Sequence, residues 1–121
     1  MAKRILVVDD SAAVRQSVAY VLDQAGYEIV QAGDGKDALT KLDGNPFALV
    51  VTDVNMPNMD GIELTRQIRA NGDYKFTPIV VLTTESQSDK MNEGKAAGAT
   101  GWIVKPFNSE KLLQVVKRLA G

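Results

Sequence analysis

The stretch Ala48-Leu49-Val50-Val51-Thr52-Asp53 ends a short, almost entirely apolar run with a carboxylate. A continuous apolar run of this length is typical of a strand that is covered on both faces, as in a parallel sheet. A charged side chain at the end of such a strand is costly unless it has partners. The stretch therefore predicts a buried strand from Ala48 to Thr52 and makes Asp53 the first candidate for a functional residue.

Three other apolar runs end in polar residues in the same way. They are Ile5-Leu6-Val7-Val8 before Asp9-Asp10, Ile79-Val80-Val81-Leu82 before Thr83-Thr84, and Trp102-Ile103-Val104 before Lys105-Pro106. A weaker strand is predicted at residues 28–31, where the single strong pair Ile29-Val30 favours an edge of the sheet. The pattern thus predicts five strands, four of which end in groups that can bind a cation or phosphate.

Helical spacing and capping residues predict a helix after each strand. The predicted helices run from a Ser11 cap to Gly26, from Lys36 to Leu42, from an Asp60 cap to Asn71-Gly72, from Gln87 to Ala97, and from an Asn108 or Ser109 cap towards the end. The fourth is poorly amphipathic, with Met91 its only large apolar residue and Gly94 inside it. We therefore expect it to be the least firmly anchored helix.

Five strands alternating with five helices predict the α/β class, with a parallel sheet covered by helices on both faces. In such a sheet, binding groups collect beyond the carboxyl ends of the strands, at the point where the strand order reverses. Those ends carry the Asp9-Asp10 pair, Asp53, Thr83 and Lys105. The alternation therefore predicts that these side chains form one site.

Composition narrows the classes of function. The 121 residues suit one domain, and the apolar and charged fractions, 45% and 24%, are those of an ordinary globular protein. The net charge of −1 gives no basic surface for nucleic acid or a membrane. The absence of cysteine and histidine excludes thiolate and imidazole chemistry. No signal peptide or membrane span is predicted, and we expect a cytoplasmic protein.

The predicted site has the chemistry of a metal-assisted phosphoryl acceptor. Carboxylates crowded into one crevice favour a hard cation with oxygen ligands, of which Mg²⁺ is the usual partner of phosphoryl groups. The backbone carbonyl of Asn55 could add another oxygen ligand. A carboxylate such as Asp53 can act as a nucleophile towards phosphorus, while Lys105 and the Thr83 hydroxyl neutralise and bind phosphoryl oxygens.

With these residues in order, the chain resembles the receiver domain of two-component response regulators, and most closely the single-domain chemotaxis (CheY-like) regulators. The matching stretches cover the chain from end to end: residues 5–11 (ILVVDDS), 51–61 (VTDVNMPNMDG), 81–85 (VLTTE) and 97–107 (AGATGWIVKPF). The resemblance implies a flavodoxin-like, doubly wound five-stranded sheet of order 2-1-3-4-5 with five helices. It also implies that residues 1–121 form a single receiver domain without an output domain.

The resemblance also implies a role for each site residue. Asp53 is the phosphoacceptor, and Thr83 and Lys105 bind the phosphoryl group. The other implied roles are Mg²⁺ ligation by Asp10, Asp53 and the Asn55 carbonyl, assistance by Asp9 through water, tuning of phosphoryl lifetime by Asn55, Thr84 and Glu85, an aromatic switch at Trp102 coupled to Thr83, and a cis peptide bond before Pro106. Tryptophan departs from the Tyr or Phe that is usual in the family, and its larger ring makes a full inward turn harder.

The implied function is that of a phosphorylation-activated switch rather than an enzyme with turnover, because it would catalyse only its own phosphorylation and dephosphorylation. A sensor histidine kinase would be the phosphodonor, which fits a chain without histidine. The expected output is a partner such as a flagellar motor switch protein, with a possible phosphatase, and the protein is expected to be a monomer. The alternatives within the family are a stand-alone phosphorelay intermediate and a receiver excised from a longer regulator.

Two functions of other classes share part of this pattern. A flavodoxin-like FMN carrier would need small hydroxyl residues in its first loop, whereas Asp9-Asp10 would repel a phosphate unless a metal were bound. An aspartyl-phosphate phosphatase of the haloacid-dehalogenase type uses a second aspartate two residues after the nucleophile, and that position is Asn55. Both are therefore disfavoured.

Overall fold

The computed structural model describes residues 3–83, 88–105 and 107–120, and within residues 88–91 it describes the backbone only. The elements follow one another as β1 (Arg4–Val8), α1 (Ala12–Gln24), β2 (Glu28–Ala32), α2 (Gly35–Thr40), β3 (Leu49–Asp53), α3 (Gly61–Ala70), a 3₁₀ helix (Gly72–Tyr74), β4 (Ile79–Thr83), α4 (Ser88–Ala97), β5 (Gly101–Val104) and α5 (Ser109–Ala120). The predicted five strands and five helices are confirmed.

The strands form one parallel sheet in the order β2-β1-β3-β4-β5. The expected order is therefore confirmed, and β2 lies at an edge as its weak apolar pattern predicted. The chain leaves β1 towards β2 on one side and returns to β3 on the other, so the strand order reverses between β1 and β3. The crevice of a doubly wound sheet opens at this reversal, beyond the carboxyl ends of these two strands.

Alternate side chains of each strand feed two separate cores, as the period of two requires. Leu6 and Val8 point to the face covered by α2, α3 and α4, whereas Ile5 and Val7 point to the face covered by α1 and α5. The central strands β3 and β4 are buried along their whole length, which explains their unbroken apolar sequences.

Side-chain caps fix where the helices begin. The Ser11 hydroxyl accepts from the Val14 N–H at 3.3 Å, and the Asp60 carboxylate accepts from the Glu63 N–H at 2.8 Å. Of the two predicted caps of α5, Asn108 makes the bond, accepting from Lys111 N–H at 2.8 Å. Each cap satisfies an N–H group that has no partner inside its helix.

Several elements differ from the sequence prediction, most of them by one or two residues at an end. Strand β3 includes Asp53, because Asp53 still pairs with Leu82 of β4. Helix α2 ends at Thr40 rather than Leu42, with Lys41 as its C-cap, although Leu42 still packs against the core. The 3₁₀ helix of residues 72–74 was not predicted; it buries Tyr74 before β4 begins. The predicted first residue of the fourth helix, Gln87, lies outside the described residues.

Candidate functional site

Asp53 is delivered to the crevice by the central strand. It is the last residue of β3, and its side chain is only 10% exposed. The start of α3 closes over it so tightly that a Cβ at Gly61 would collide with the backbone oxygen of Asp53. Gly61 therefore lets α3 begin directly against the end of β3, a close approach that only glycine permits.

Three carboxylates meet at this edge of the sheet. Asp9, Asp10 and Asp53 each offer an oxygen, and these oxygens all lie within 4.8 Å of one another. Asp9 is buried and Asp10 is exposed, because the chain leaves β1 at this point and turns outward into α1. The sequence prediction that these acids form one site is therefore matched by their geometry.

Lys105 brings the opposing charge. Its ammonium donates to Asp53 Oδ1 at 3.1 Å and lies 3.5 Å from Asp9 Oδ2. The residue follows β5, and its backbone N–H donates to the Thr83 carbonyl at 2.6 Å, so the ends of β4 and β5 hold it in place. Thr83 itself is fully buried at the end of β4. Within this described group, three carboxylates face one ammonium and a net negative charge remains.

The pKa of Asp53 is shifted first by its burial and then by its charged neighbours. Burial raises the pKa of its carboxyl above the ordinary value, the hydrogen bond and the charge of Lys105 oppose the rise, and the charge of Asp9 adds to it. Asp53 is therefore an incompletely neutralised carboxylate, a state that a further cation would relieve.

The oxygen atoms of Asp9 are used unequally. Asp9 Oδ1 accepts from the Ser11 N–H at 2.9 Å, whereas Oδ2 is buried and has no hydrogen-bond partner among the described residues. A buried carboxylate oxygen without a donor is costly and usually marks a missing ion or water. Together with an all-oxygen donor set in which three carboxylates converge, it makes the site fit a hard divalent cation.

The comparisons with known proteins agree with this geometry. The family model of the response regulator receiver domain matches residues 5–117. The chain belongs to the response regulator receiver family.

Several relatives of this receiver are chemotaxis proteins. Chemotaxis protein CheY-3 of Vibrio cholerae is 40% identical, with 96% of this chain and 93% of that protein covered. The structure of V. cholerae CheY4 superposes with a TM-score of 0.94 at 49% identity, over 98% of this chain and 99% of that one.

A receiver domain with magnesium is also similar. It belongs to the sensor histidine kinase PA1611 of Pseudomonas aeruginosa, whose structure has a magnesium ion coordinated in the active-site cleft. The superposition has a TM-score of 0.91 at 26% identity and covers 100% of this chain and 99% of that one.

Other predicted residues of the receiver lie around this centre or outside the described chain. Asn55 is exposed in the loop that follows β3, two residues beyond Asp53. Its carbonyl remains a predicted ligand. Thr84, Glu85 and Pro106 lie outside the described residues, so the predictions made for them stay predictions.

Trp102 lies in β5 in register with Val81, two residues before Thr83 in β4. The indole is partly buried and packs against the core on the α4 side of the sheet. Its six-membered ring lies on Gly94 of α4. The large side chain predicted to make an inward turn difficult is thus accommodated where the facing helix has no side chain.

Sequence reasoning missed Arg15. Its guanidinium donates through Nη1 to the Asp9 carbonyl at 2.8 Å and through Nε to Gln31 Oε1 at 3.2 Å. It thereby fixes the turn that carries the two acids against β2. A basic residue one turn into α1 was the only signal, and it does not distinguish this contact from an ordinary solvated charge.

In the described part of the chain, no helix is both long enough and apolar enough to cross a membrane.

Proposed function

We propose that this receiver is a switch activated by phosphorylation of Asp53, with a sensor histidine kinase as phosphodonor. The observation that carries the proposal is the buried Asp53 carboxylate, hydrogen-bonded to Lys105 and crowded by Asp9. Its position at the end of β3 places this carboxylate beside the ammonium of Lys105, a positive charge that can stabilise a transferred phosphoryl group.

In the proposed reaction an Asp53 oxygen attacks phosphorus and forms an acyl phosphate. The bond from phosphorus to the donor's imidazole nitrogen breaks, and the electron pair stays on that nitrogen. Lys105, already 3.1 Å from Asp53 Oδ1, would turn its ammonium to the phosphoryl oxygens, and the Thr83 hydroxyl would bind another. Hydrolysis of the acyl phosphate by water resets the switch, so the protein has no separate substrate to turn over.

Mg²⁺ is the proposed cofactor. Asp10, Asp53 and the Asn55 carbonyl would hold it, with Asp9 assisting through water, and it would neutralise charge on the phosphoryl group. The residues of this chain would supply the nucleophile and a second positive charge. Asp53 provides the nucleophile, and Lys105 stabilises negative charge on the transferred group.

We propose chemotaxis as the pathway and a flagellar motor switch protein as the target. The support is the likeness, over nearly the whole chain, to CheY proteins of V. cholerae. A purified flagellar motor switch protein should bind the beryllofluoride-activated form more tightly than the untreated form. Equal binding of both forms would contradict this pathway without bearing on Asp53.

The phosphorylation itself is tested with acetyl phosphate and Mg²⁺. The wild-type protein should gain one phosphoryl group that is stable in acid and removed by hydroxylamine, and Asp53→Asn should gain none. Asp23→Asn, which changes an exposed aspartate of α1, is the matched control and should behave like the wild type. An adduct that persists in Asp53→Asn would overturn the proposal.

A further inference from the structure

Trp102 and Gly94 are in unusually close contact. A Cβ added at Gly94 would lie 2.6 Å from Trp102 Cζ3 and 3.2 Å from Cε3, both of which belong to the six-membered ring. The first distance is shorter than atoms can tolerate. Because the indole is a rigid plane with only two side-chain torsions, it could not yield by bending; it would have to rotate away or α4 would have to move.

Gly94 is not needed for backbone freedom. It lies inside α4 and is not among the glycines with positive φ. In a helix interior, glycine lowers the folding equilibrium by about fivefold relative to alanine. Among the α4 residues whose burial is described, only Gly94 and Ala97 are buried, so few contacts hold this helix against the core. What glycine provides at this position is the space that the indole fills.

The other ring of the indole carries a hydrogen-bond donor that is not satisfied. Trp102 Nε1 is buried and has no hydrogen-bond partner among the described residues. A buried donor without an acceptor disfavours the conformation that contains it. Packing on Gly94 therefore favours the observed position of the ring, whereas the buried N–H without an acceptor opposes it.

The same two strands carry the indole and the phosphate-binding pair. Trp102 pairs with Val81, Thr83 pairs with Val104, and the Lys105 N–H donates to the Thr83 carbonyl. A movement of α4 that displaces the ring therefore acts on a strand whose end contacts Asp53 through Lys105.

We propose that Gly94 is a positioning residue for Trp102: by lacking a side chain, it seats the indole on α4 and links the position of this helix to the state of Asp53. The packing of the Trp102 indole on Gly94, which we call the seat, is inferred from the contact between these two residues. The link to Asp53 rests on the proposed function.

The seat is tested in the unphosphorylated protein by Gly94→Ala. Trp102 is the only tryptophan, so fluorescence reports it alone. Displacement from the seat should shift the emission to longer wavelength and raise the acrylamide quenching constant by about twofold. Asn92→Ala, at an exposed position of α4, is the matched control: it raises helix propensity as well but should leave the emission unchanged. Unchanged emission in Gly94→Ala overturns the seat.

A purely structural role for Gly94 is distinguished by a double-mutant comparison. In the Trp102→Ala background, Gly94→Ala should raise the folding equilibrium constant several-fold, because the helix gains alanine and nothing collides. In the wild-type background, Gly94→Ala should lower the folding equilibrium constant, because the new methyl group collides with the indole. If Gly94→Ala has the same effect in both backgrounds, the seat is overturned. If Gly94→Ala alone does not fold, folding of the double variant supports the seat and failure of both overturns it.

The link is tested with Mg²⁺ and beryllofluoride, with the phosphoryl adduct measured separately. In Gly94→Ala the adduct at Asp53 should still form, but the fluorescence change on activation should fall at least threefold relative to the wild type. An undiminished change overturns the link. A wild type that forms no adduct overturns the proposed function and the link together, whereas the seat is still decided by the resting protein.

Discussion

Two groups of polar side chains lie at opposite ends of the strands of the same sheet, and their hydrogen bonds are organised differently. At the amino edge, Arg69 makes five described hydrogen bonds, all to neutral oxygens: two to the Gly98 carbonyl and one each to those of Tyr74 and Thr77 and to the Thr100 hydroxyl. At the carboxyl edge, the carboxylates of Asp9, Asp10 and Asp53 crowd around one ammonium, and one buried Asp9 oxygen has no described hydrogen-bond donor.

The difference separates a structural network from a site prepared for ligands. Burial lowers the pKa of Arg69 from its usual value, but a guanidinium remains charged, and its donors are matched by fixed acceptors. A fully satisfied buried network stabilises one conformation, whereas a partly satisfied one carries a free-energy cost that a bound ion or phosphate can remove. We therefore expect substitutions at the two edges to respond differently to Mg²⁺.

The largest effect is expected for Lys105→Met, which keeps the apolar stem and removes the ammonium. It leaves three crowded carboxylates without a described cation, so unfolding in metal-free buffer should become easier by about 2–3 kcal/mol. Saturating Mg²⁺ should restore much of this loss, because a ligand of the folded state alone stabilises it.

Urea unfolding with and without Mg²⁺ measures this effect. Lys111→Met, which removes an exposed lysine of α5, should change stability by less than about 0.5 kcal/mol in both buffers. A loss in Lys105→Met that is the same in both buffers would mean that the acid cluster is not what Lys105 stabilises.

A smaller effect, which Mg²⁺ should not alter, is expected for Arg69→Met. The carbonyls of Gly98 and Thr77 would lose their donors, at a cost of about 2 kcal/mol. The matched control is Arg66→Met in the same helix; its side chain is 53% exposed, and its guanidinium forms a surface ion pair with Glu63 at 3.7 Å. Phosphoryl adduct formation at Asp53 should be unchanged in both variants. Impaired adduct formation in Arg69→Met alone would show that the two edges are coupled.

Tyr74→Phe should lower the free energy of unfolding by less than Arg69→Met does, by about 1 kcal/mol. The fully buried ring stays in place, but the hydroxyl that accepts from Gly44 N–H at 2.9 Å and donates to the Asn45 carbonyl at 2.8 Å is lost. Because Gly44 and Asn45 are exposed, water can replace the missing partner. Thermal unfolding would detect the change, and a loss as large as that of Arg69→Met would show that water does not reach this turn.

The same contrast explains what could be predicted from sequence. The acid cluster was predictable because charges at the ends of apolar strands interrupt a pattern, and parallel strands bring their carboxyl ends to one edge. Arg69 was not, since its acceptors are backbone carbonyls of residues that carry no recognisable signal. Gly94 was interpreted only as a weakness of α4, because steric space for Trp102 is defined by a residue on another element.

The predicted ends of β3 and α2 were wrong for a related reason. Asp53 was expected just beyond β3, since a charged residue is a poor strand residue, yet pairing with Leu82 keeps it in the strand. Helix α2 was predicted to extend to Leu42, two residues too far, because Leu42 packs against the core although it is not helical. Tertiary contacts decide both cases, and local propensity does not contain them.

The smallest expected effect is that of Asp53→Asn. In metal-free buffer at pH 7, this substitution should stabilise the protein by about 0.5–1 kcal/mol. Burial, with a contribution from Asp9, raises the pKa of Asp53 despite Lys105, so folding disfavours the ionised carboxylate. Asparagine can still accept a hydrogen bond from Lys105 and carries no charge. The ionised Asp53 carboxylate is therefore expected to lower the stability of the unphosphorylated, metal-free protein.

The dependence on pH tests this explanation. An acid whose pKa is raised on folding binds more protons in the folded state, so its favourable contribution is complete below the unfolded-state pKa of about 3.9 and is lost as pH rises through the raised value. The advantage of Asp53→Asn should thus be largest near neutral pH and shrink as pH falls through that window. Urea unfolding from pH 4 to 8 measures it, with Asp23→Asn, at an exposed position of α1, as the comparison variant. An advantage that is constant with pH would mean that Asp53 affects stability through packing rather than charge, and the comparison between the two edges would then lose its electrostatic basis.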